Sequence, residues 1–377
     1  MPFSHLSLGP GLERAFAALG YTGPFPVQEQ AIPTVLKGQD LVVQAQTGSG
    51  KTVTFLAPLL HRLTEGPSGR TTGTTPRALV LVPTRELAMQ VRDRAAELVK
   101  HLPLGLKVRA VFGGVSANPQ MLALRGGADL VIATPGRLLD LVRQNALSLG
   151  GLQHLVLDEA DKLLELGFRE EMEAILHLLP PHRQTLLFSA TMNTAVQDVI
   201  RLFLKDPQTI QVEAGPELTL SIEEKAYLVA QEAKGPFLRE ILTREAWAQV
   251  LVFVASGRRA DNVVRKLGNN GIRALSLHGD KSQSARTDAL QQFRNGGLRV
   301  LVATDLISRG IDVNGLACVI NYDLPRSPKD YVHRIGRTGR AGLSGIAISL
   351  VGPDEEPHLA LIEKKVGRAF TKERIQP

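Results

Sequence analysis

A single cysteine, Cys318, leaves the chain without any internal disulfide, and it lies in an apolar run, Leu316 to Ile320, that reads as a buried strand. No uninterrupted apolar stretch approaches the roughly 20 residues needed to cross a bilayer, and the start lacks a basic-then-apolar signal pattern. These absences exclude a disulfide-stapled scaffold and a helical membrane anchor. They predict an interior, reducing, cytoplasmic setting with no membrane partner. Short-period repeats and low-complexity tracts are missing as well, which excludes a solenoid.

What is present points elsewhere. With 377 residues and 44% hydrophobic content, the chain can bury a sizeable core in two domains. A net charge of +7 and a pI near 9.6 suggest a polyanionic partner without locating it.

The informative stretch is Gln44-Ala45-Gln46-Thr47-Gly48-Ser49-Gly50-Lys51-Thr52. It sits between an apolar run and a segment patterned for a helix, Val53 to Leu63. Such a loop aims backbone N–H groups and the helix's positive end at one point, which makes a phosphate cradle of Thr47, Gly48, Ser49 and Gly50. Lys51 can reach the terminal phosphates of a nucleotide, and the Thr52 hydroxyl can hold magnesium. Ala45 stands where the general template has a first glycine.

Asp158-Glu159-Ala160-Asp161 follows directly on the strand-like Leu155-Val156-Leu157. Acids at the C-terminal end of a buried strand lie where a doubly wound sheet binds ligands. Asp158 is placed to hold the metal through water, and Glu159 to deprotonate the attacking water.

Continuous apolar runs alternate with helical patterns: Leu41 to Val43, Ala78 to Val82, Val108 to Phe112, Asp129 to Ala133, Leu155 to Asp158 and Thr185 to Ser189. A second series runs from Ile222 through Val250 to Val254, Ala274 to Leu277, Val300 to Ala303, Ala317 to Asn321 and Ile346 to Val351, with no phosphate loop of its own. This pattern predicts parallel sheets covered on both faces, an α/β fold. We expect domains at 1–207 and 221–377, with a linker at 208–220. Gly66 to Pro76 reads as a mobile surface loop, and Glu363 to Arg374 as a solvated, mixed-charge helix face.

Taken together, these motifs resemble the DEAD-box family of RNA helicases. The resemblance spans nearly the whole chain. It adds Gln28 with the upstream aromatic Phe3, Pro83-Thr84-Arg85-Glu86-Leu87-Ala88, Gly113-Gly114, Thr134-Pro135-Gly136-Arg137 and Ser189-Ala190-Thr191. It continues with Arg309-Gly310-Ile311-Asp312 and His333-Arg334-Ile335-Gly336-Arg337-Thr338-Gly339-Arg340. The family accepts alanine at the position of Ala45.

The resemblance implies two RecA-like doubly wound parallel-sheet domains joined by a short linker, with ATP and Mg²⁺ as cofactors. Phe3 would stack on adenine and Gln28 would read its edge. Gly310 would belong to the nucleotide site, and Asp312 would contact the ribose. Arg337 and Arg340 would be arginine fingers, with His333 linking the second domain to the acidic motif. Ser189, Thr191 and Asp161 would couple hydrolysis to unwinding. RNA would be held by its backbone at Pro83, Thr84, Arg85, Gly114, Thr134, Gly136, Arg137, Gln283, Arg286, Thr304 and Asp305.

The implied activity is RNA-stimulated ATP hydrolysis coupled to local separation of short RNA duplexes, with protein partners engaged through flanking regions. A nucleotide-gated RNA clamp that hydrolyses slowly is the alternative, and a DNA translocase a weaker one. The sequence departs from the family pattern twice. Phe25 replaces the usual serine or threonine, removing a helix-capping hydroxyl, and Leu306-Ile307-Ser308 is bulkier than the usual small residues.

Overall fold

The computed structural model describes residues 3–45, 49–65, 74–103, 105–212, 222–305, 315–339, 345–367 and 369–375. The chain divides into two compact units, Met1–Gly215 and Pro216–Pro377. Each is built on one seven-stranded sheet.

In the first unit the strands are β1 (Leu41–Gln44), β2 (Ala78–Leu81), β3 (Val108–Val111), β4 (Leu130–Ala133), β5 (His154–Leu157), β6 (Gln184–Ser189) and β7 (Gln208–Gln211). Their spatial order is β3-β4-β2-β5-β6-β1-β7, and every pair is parallel. The central strands are buried throughout because both faces are covered. Along β2, Ala78 and Val80 join Phe55 and Leu98 in one core, while Leu79 and Leu81 join Leu138 and Leu163 in the other. This alternation follows from the two-residue period of a strand. Each fully buried leucine or valine contributes about 1.5–3 kcal/mol.

The second unit repeats the plan with β8 (Ile222–Leu228), β9 (Val250–Phe253), β10 (Ala274–Leu277), β11 (Val300–Ala303), β12 (Cys318–Asn321), β13 (Gly345–Val351) and β14 (Thr371–Arg374). Its order, β10-β11-β9-β12-β13-β8-β14, is the same permutation, again all parallel. Cys318 is fully buried in β12, and burial pushes its thiol pKa up. No helix among the described residues is long and apolar enough to cross a membrane.

Two expectations are corrected here. Residues 208–211, assigned to the linker, form the edge strand β7 on β1; only Ile210 of the four is buried, so the strand carries almost no apolar signal. Part of the stretch expected as a helix face is likewise a strand: after the helix Glu356–Val366, β14 pairs with β8, all four residues exposed. Residues 213–221, and 66–73 of the expected mobile loop, lie outside the described residues.

An all-parallel sheet gathers the C-terminal ends of its strands along one edge. In the first unit the loops after β1, β5 and β6 occupy one half of that edge, and the loops after β2, β3 and β4 the other.

Candidate functional site

The first half of the edge holds the phosphate loop. Its helix begins at Lys51 and runs to Glu65. Gly50 precedes it at φ +88°, a conformation that favours glycine. A methyl built there would lie 2.8 Å from both Gln28 Nε2 and the Phe25 ring. Lys51 is 8% exposed, and its Nζ donates to the Ala45 carbonyl at 2.8 Å. Ser49 is half-buried, as is Thr52 at the second helical position. Gln28 is fully buried; its Nε2 donates to the Gly50 carbonyl at 3.3 Å and its Oε1 accepts from Phe25 N at 2.9 Å.

Two strands away, β5 delivers Asp158, 3% exposed, whose Oδ1 accepts from Glu159 N at 2.9 Å. Burial raises the Asp158 pKa above its ordinary value. The Lys51 charge and the Glu159 N–H bond pull it back, and Asp161 adds to the rise. Glu159 sits at φ 50°, ψ 50°, a left-handed conformation that costs a non-glycine residue about 1–3 kcal/mol. The neighbouring β6 ends at Ser189, whose Oγ donates to the Thr191 carbonyl at 2.7 Å and accepts from Thr191 N at 3.3 Å. That turn aims the Thr191 hydroxyl at Asp161 Oδ2, 3.0 Å away.

These residues fit a hydrated magnesium. No group of three or more His, Cys, Asp or Glu poised for a metal exists among the described residues. Magnesium needs none, because it keeps several waters and takes one or two carboxylates together with substrate phosphates. Asp158, desolvated and under the influence of Lys51, is a carboxylate that a cation would relieve.

The other half of the edge carries hydroxyls, glycines and arginines. Thr84 caps the helix Arg85–Val99 by accepting from Leu87 N at 3.2 Å. Pro83 is buried beneath it. Arg85 donates to the carbonyl of Gly114 at 3.1 Å, and Gly114 has φ +72° with no room for a side chain against that guanidinium. Thr134 accepts from Gly113 N at 3.3 Å at the head of the helix Pro135–Arg143, where Gly136 is half-buried. Arg137 donates from Nη2 to Val115 O at 2.7 Å, while its buried Nε and Nη1 make no hydrogen bond among the described residues.

In the second unit the helix after β8 begins at Lys234, as the helix after β1 begins at Lys51. Here the lysine is fully buried and committed to Glu355 at 2.7 Å and to the Tyr322 carbonyl at 3.3 Å. Gln231-Glu232-Ala233 ahead of it has no glycine. The repeated plan therefore does not repeat the phosphate cradle.

The DEAD/DEAH box helicase family signature matches residues 25–199, and the helicase conserved C-terminal domain signature matches residues 233–342. The chain belongs to the DEAD/DEAH box helicase family. A DEAD-box ATP-dependent RNA helicase, CshA of Streptococcus pneumoniae, is 42% identical over 377 residues, which is all of this chain and 69% of that protein. The ATP-dependent RNA helicase RhlB of Pseudomonas syringae is 39% identical over 376 residues, covering 98% of this chain and 94% of that protein. Among solved structures, S. cerevisiae Dbp5 bound to RNA and ADP BeF3 is similar with a TM-score of 0.86 and 29% identity, covering 99% and 95% of the two chains. Each unit of this DEAD-box chain thus has the RecA-like doubly wound fold.

Several expected residues of the DEAD-box site are placed differently by the structure. Phe3 is 1% exposed, with its ring 4.4 Å from Phe16 and 6.3 Å from Tyr21 between centroids. It packs in the core just before the short turn Ser4–Leu6, so adenine could stack on it only if it were uncovered. Arg286 is also 1% exposed. The helix Gln283–Arg294 carries it on the buried stripe with Ala289, Leu290 and Phe293, so it is not displayed to RNA. Gln283 and Thr304 are half-buried. His333 is half-buried and Arg337 is 8% exposed. Thr47, Gly48, Gly310, Asp312 and Arg340, and the bulky Leu306-Ile307-Ser308, lie outside the described residues.

Asp305, expected on RNA, has its carboxylate taken by a residue to which sequence reasoning gave no role. Arg334 grips Asp305 with two parallel bonds, Nε to Oδ1 at 2.6 Å and Nη2 to Oδ2 at 2.7 Å. Its Nη1 donates to Asn321 Oδ1 at 3.0 Å and to the Asp323 carbonyl at 2.7 Å, and the guanidinium lies 4.9 Å from the Phe253 ring centre. Arg334 ties the ends of β9, β11 and β12 to the helix Pro328–Ile335. The only sequence signal was its place inside the arginine-rich motif.

Proposed function

We propose that this helicase hydrolyses ATP in response to RNA and uses the cycle to separate short RNA duplexes locally, with little regard for sequence. The observation that carries the reading is the division of one sheet edge into two adjoining halves. Phosphate-loop and acidic residues stand at β1, β5 and β6, and backbone-contacting residues stand at β2, β3 and β4.

On the nucleotide side, Lys51 turns from Ala45 O to the terminal phosphates. Asp158 and Thr52 would hold magnesium, which would supply positive charge against the charge developing on the phosphates. Glu159 accepts the proton of the attacking water, its strained backbone fixing the carboxylate's direction. Gln28, already fastened to Gly50, selects adenine by exchanging that bond for the base edge. The resemblance gives Arg337 and Arg340 the part of arginine fingers, a role worth roughly 10³–10⁵ in rate.

On the RNA side, Arg85 and Arg137 meet phosphates, and the helix starts at Arg85 and Pro135 add positive ends. Arg137 Nε lies 3.9 Å from Asp140 Oδ2 and its buried Nη1 makes no hydrogen bond among the described residues, so a phosphate would be met by the guanidinium turning outward. Thr84, Gly114, Thr134 and Gly136 allow close approach to ribose and phosphate, with Gln283 and Thr304 continuing the path. Contacts of this type carry no base code. ATP turnover measured with RNA, with DNA and with neither tests the reading. RNA should raise the rate at least tenfold over both others, and equal rates in all three would refute it.

A further inference from the structure

The second unit does not repeat the phosphate cradle, yet it keeps the kind of place where a doubly wound sheet binds ligands. β9 and β12 are neighbours, and the chain leaves them for opposite faces of the sheet. After β9 the helix Gly257–Gly268 packs Ala260 and Val263 with Val250 and Val252. After β12 the helix Pro328–Ile335 packs Tyr331 and Ile335 with Ala347, on the face that carries Leu251 and Val319. Diverging connections open a crevice beyond the carboxyl ends of the two strands, and ligands of open α/β sheets settle there. In the first unit the matching gap, between β2 and β5, separates Thr84 from Asp158.

In the second unit this crevice is a cavity of about 420 Å³, the size of a small-ligand site. Its chemistry is cationic. Arg259 is built into its floor: Nε lies 3.1 Å from Asp323 Oδ2, the guanidinium stands 5.5 Å from the Tyr322 ring centre, and the Gln231 amide faces it. No carboxylate lines the cavity among the described residues. Asp323, behind Arg259, is occupied by that guanidinium and by Ala255 N at 2.9 Å. Arg258 and Lys266 reach the rim from the same helix, about 12 Å apart along its axis, with Asn262 between them. Both are exposed and make no ion pair among the described residues.

We propose that this crevice binds a small molecule carrying two or more phosphates, at a site separate from the nucleotide site of the first unit. Cations spread along the helix match a chain of phosphates better than a single one. Arg258 and Lys266 meet its charge, and Asn262 donates to an oxygen between them. Guanidinium and phosphate make charge-assisted, directional bonds. Arg259 is ordered before the ligand arrives, so that part of the binding cost is already met by folding.

Inorganic tripolyphosphate titrated into the full chain by calorimetry should report two binding events. Lys51→Ala should abolish the one on the phosphate loop and leave one per chain. Adding Arg258→Glu and Lys266→Glu to that variant should weaken the remaining event at least tenfold, through the loss of two contacts to charged groups. Both side chains are exposed, and Trp247 emission checks that the second unit stays folded. A single event abolished by Lys51→Ala, or a second event indifferent to the two charge reversals, would overturn the proposal. Displacement of the probe from the Lys51→Ala chain by a short single-stranded RNA would overturn it too, by placing the crevice on the RNA path. If instead the nucleotide reading fails, Lys51→Ala leaves both events in place while the two charge reversals still remove one.

Discussion

The hydroxyl of Thr191, just after β6, donates over 3.0 Å to Oδ2 of Asp161, in the first turn of the helix Ala160–Glu165 that follows β5. The bond joins the acidic motif to the next loop, and Ser189 fixes the turn that makes it. Thr191→Ala should leave ATP affinity within twofold and RNA-stimulated hydrolysis within a few-fold. Duplex separation should fall about tenfold, the cost of one charge-assisted hydrogen bond. Parallel assays of hydrolysis and strand release check this, and an equal loss in both would show that the bond serves catalysis rather than coupling.

Glu159→Gln removes the proposed base while keeping size. ATP binding should persist, and turnover should fall about 10²–10⁴-fold. The variant should also hold RNA in a long-lived ATP-bound complex, visible as slowed RNA dissociation on a filter or by anisotropy. Normal turnover would remove Glu159 from the role of general base.

The Arg334–Asp305 fork is buried on the arginine side at 2% exposure. Removing Asp305 strands the buried guanidinium of Arg334, a loss of about 3–5 kcal/mol. Trp247 is the chain's single tryptophan and packs at the edge of a second-unit core, so its fluorescence reports that unit's unfolding in denaturant. Asp305→Leu should shift the midpoint sharply down, and the double change with Arg334→Leu should recover part of the shift. Additive losses would mean the two residues do not act as a pair.

His154 gives the first unit a pH dependence. Burial lowers its pKa to about 4, with Arg62 and Arg77 adding to the fall and the Gln184 hydrogen bond opposing it. Between 6.5 and about 4 the unfolded chain binds the proton and the folded chain does not. The stabilisation is complete above pH 6.5 and is lost as pH falls towards 4, about 3 kcal/mol in all. Thermal melts at pH 7 and pH 5 should show a drop that His154→Gln reduces, and identical drops would contradict the assignment.

Much of this was legible because buried parallel strands are continuous apolar runs. Ala78 to Val82 and Val300 to Ala303 could hardly be anything else. The edge strands β7 and β14 escaped because an edge carries few apolar residues: Gln208–Gln211 buries one side chain, and Thr371–Arg374 none. The acidic and glycine-rich motifs gave residue types and order, but burial was invisible in them. Phe3 and Arg286 are buried and Asp305 is gripped by Arg334, and no motif could show that. Arg334 was hidden for the opposite reason, since its partners come from the ends of two different strands, Asp305 after β11 and Asn321 and Asp323 at β12.

The central claim is that ATP held on the Lys51 loop drives separation of RNA strands bound along the adjoining half of the same edge. Release of one strand from a short labelled RNA duplex, followed over many turnovers with and without ATP, tests it most directly. The account predicts release that requires ATP and disappears in Lys51→Ala. Release at the same rate without ATP, or stable RNA capture with ATP and no release, would contradict it.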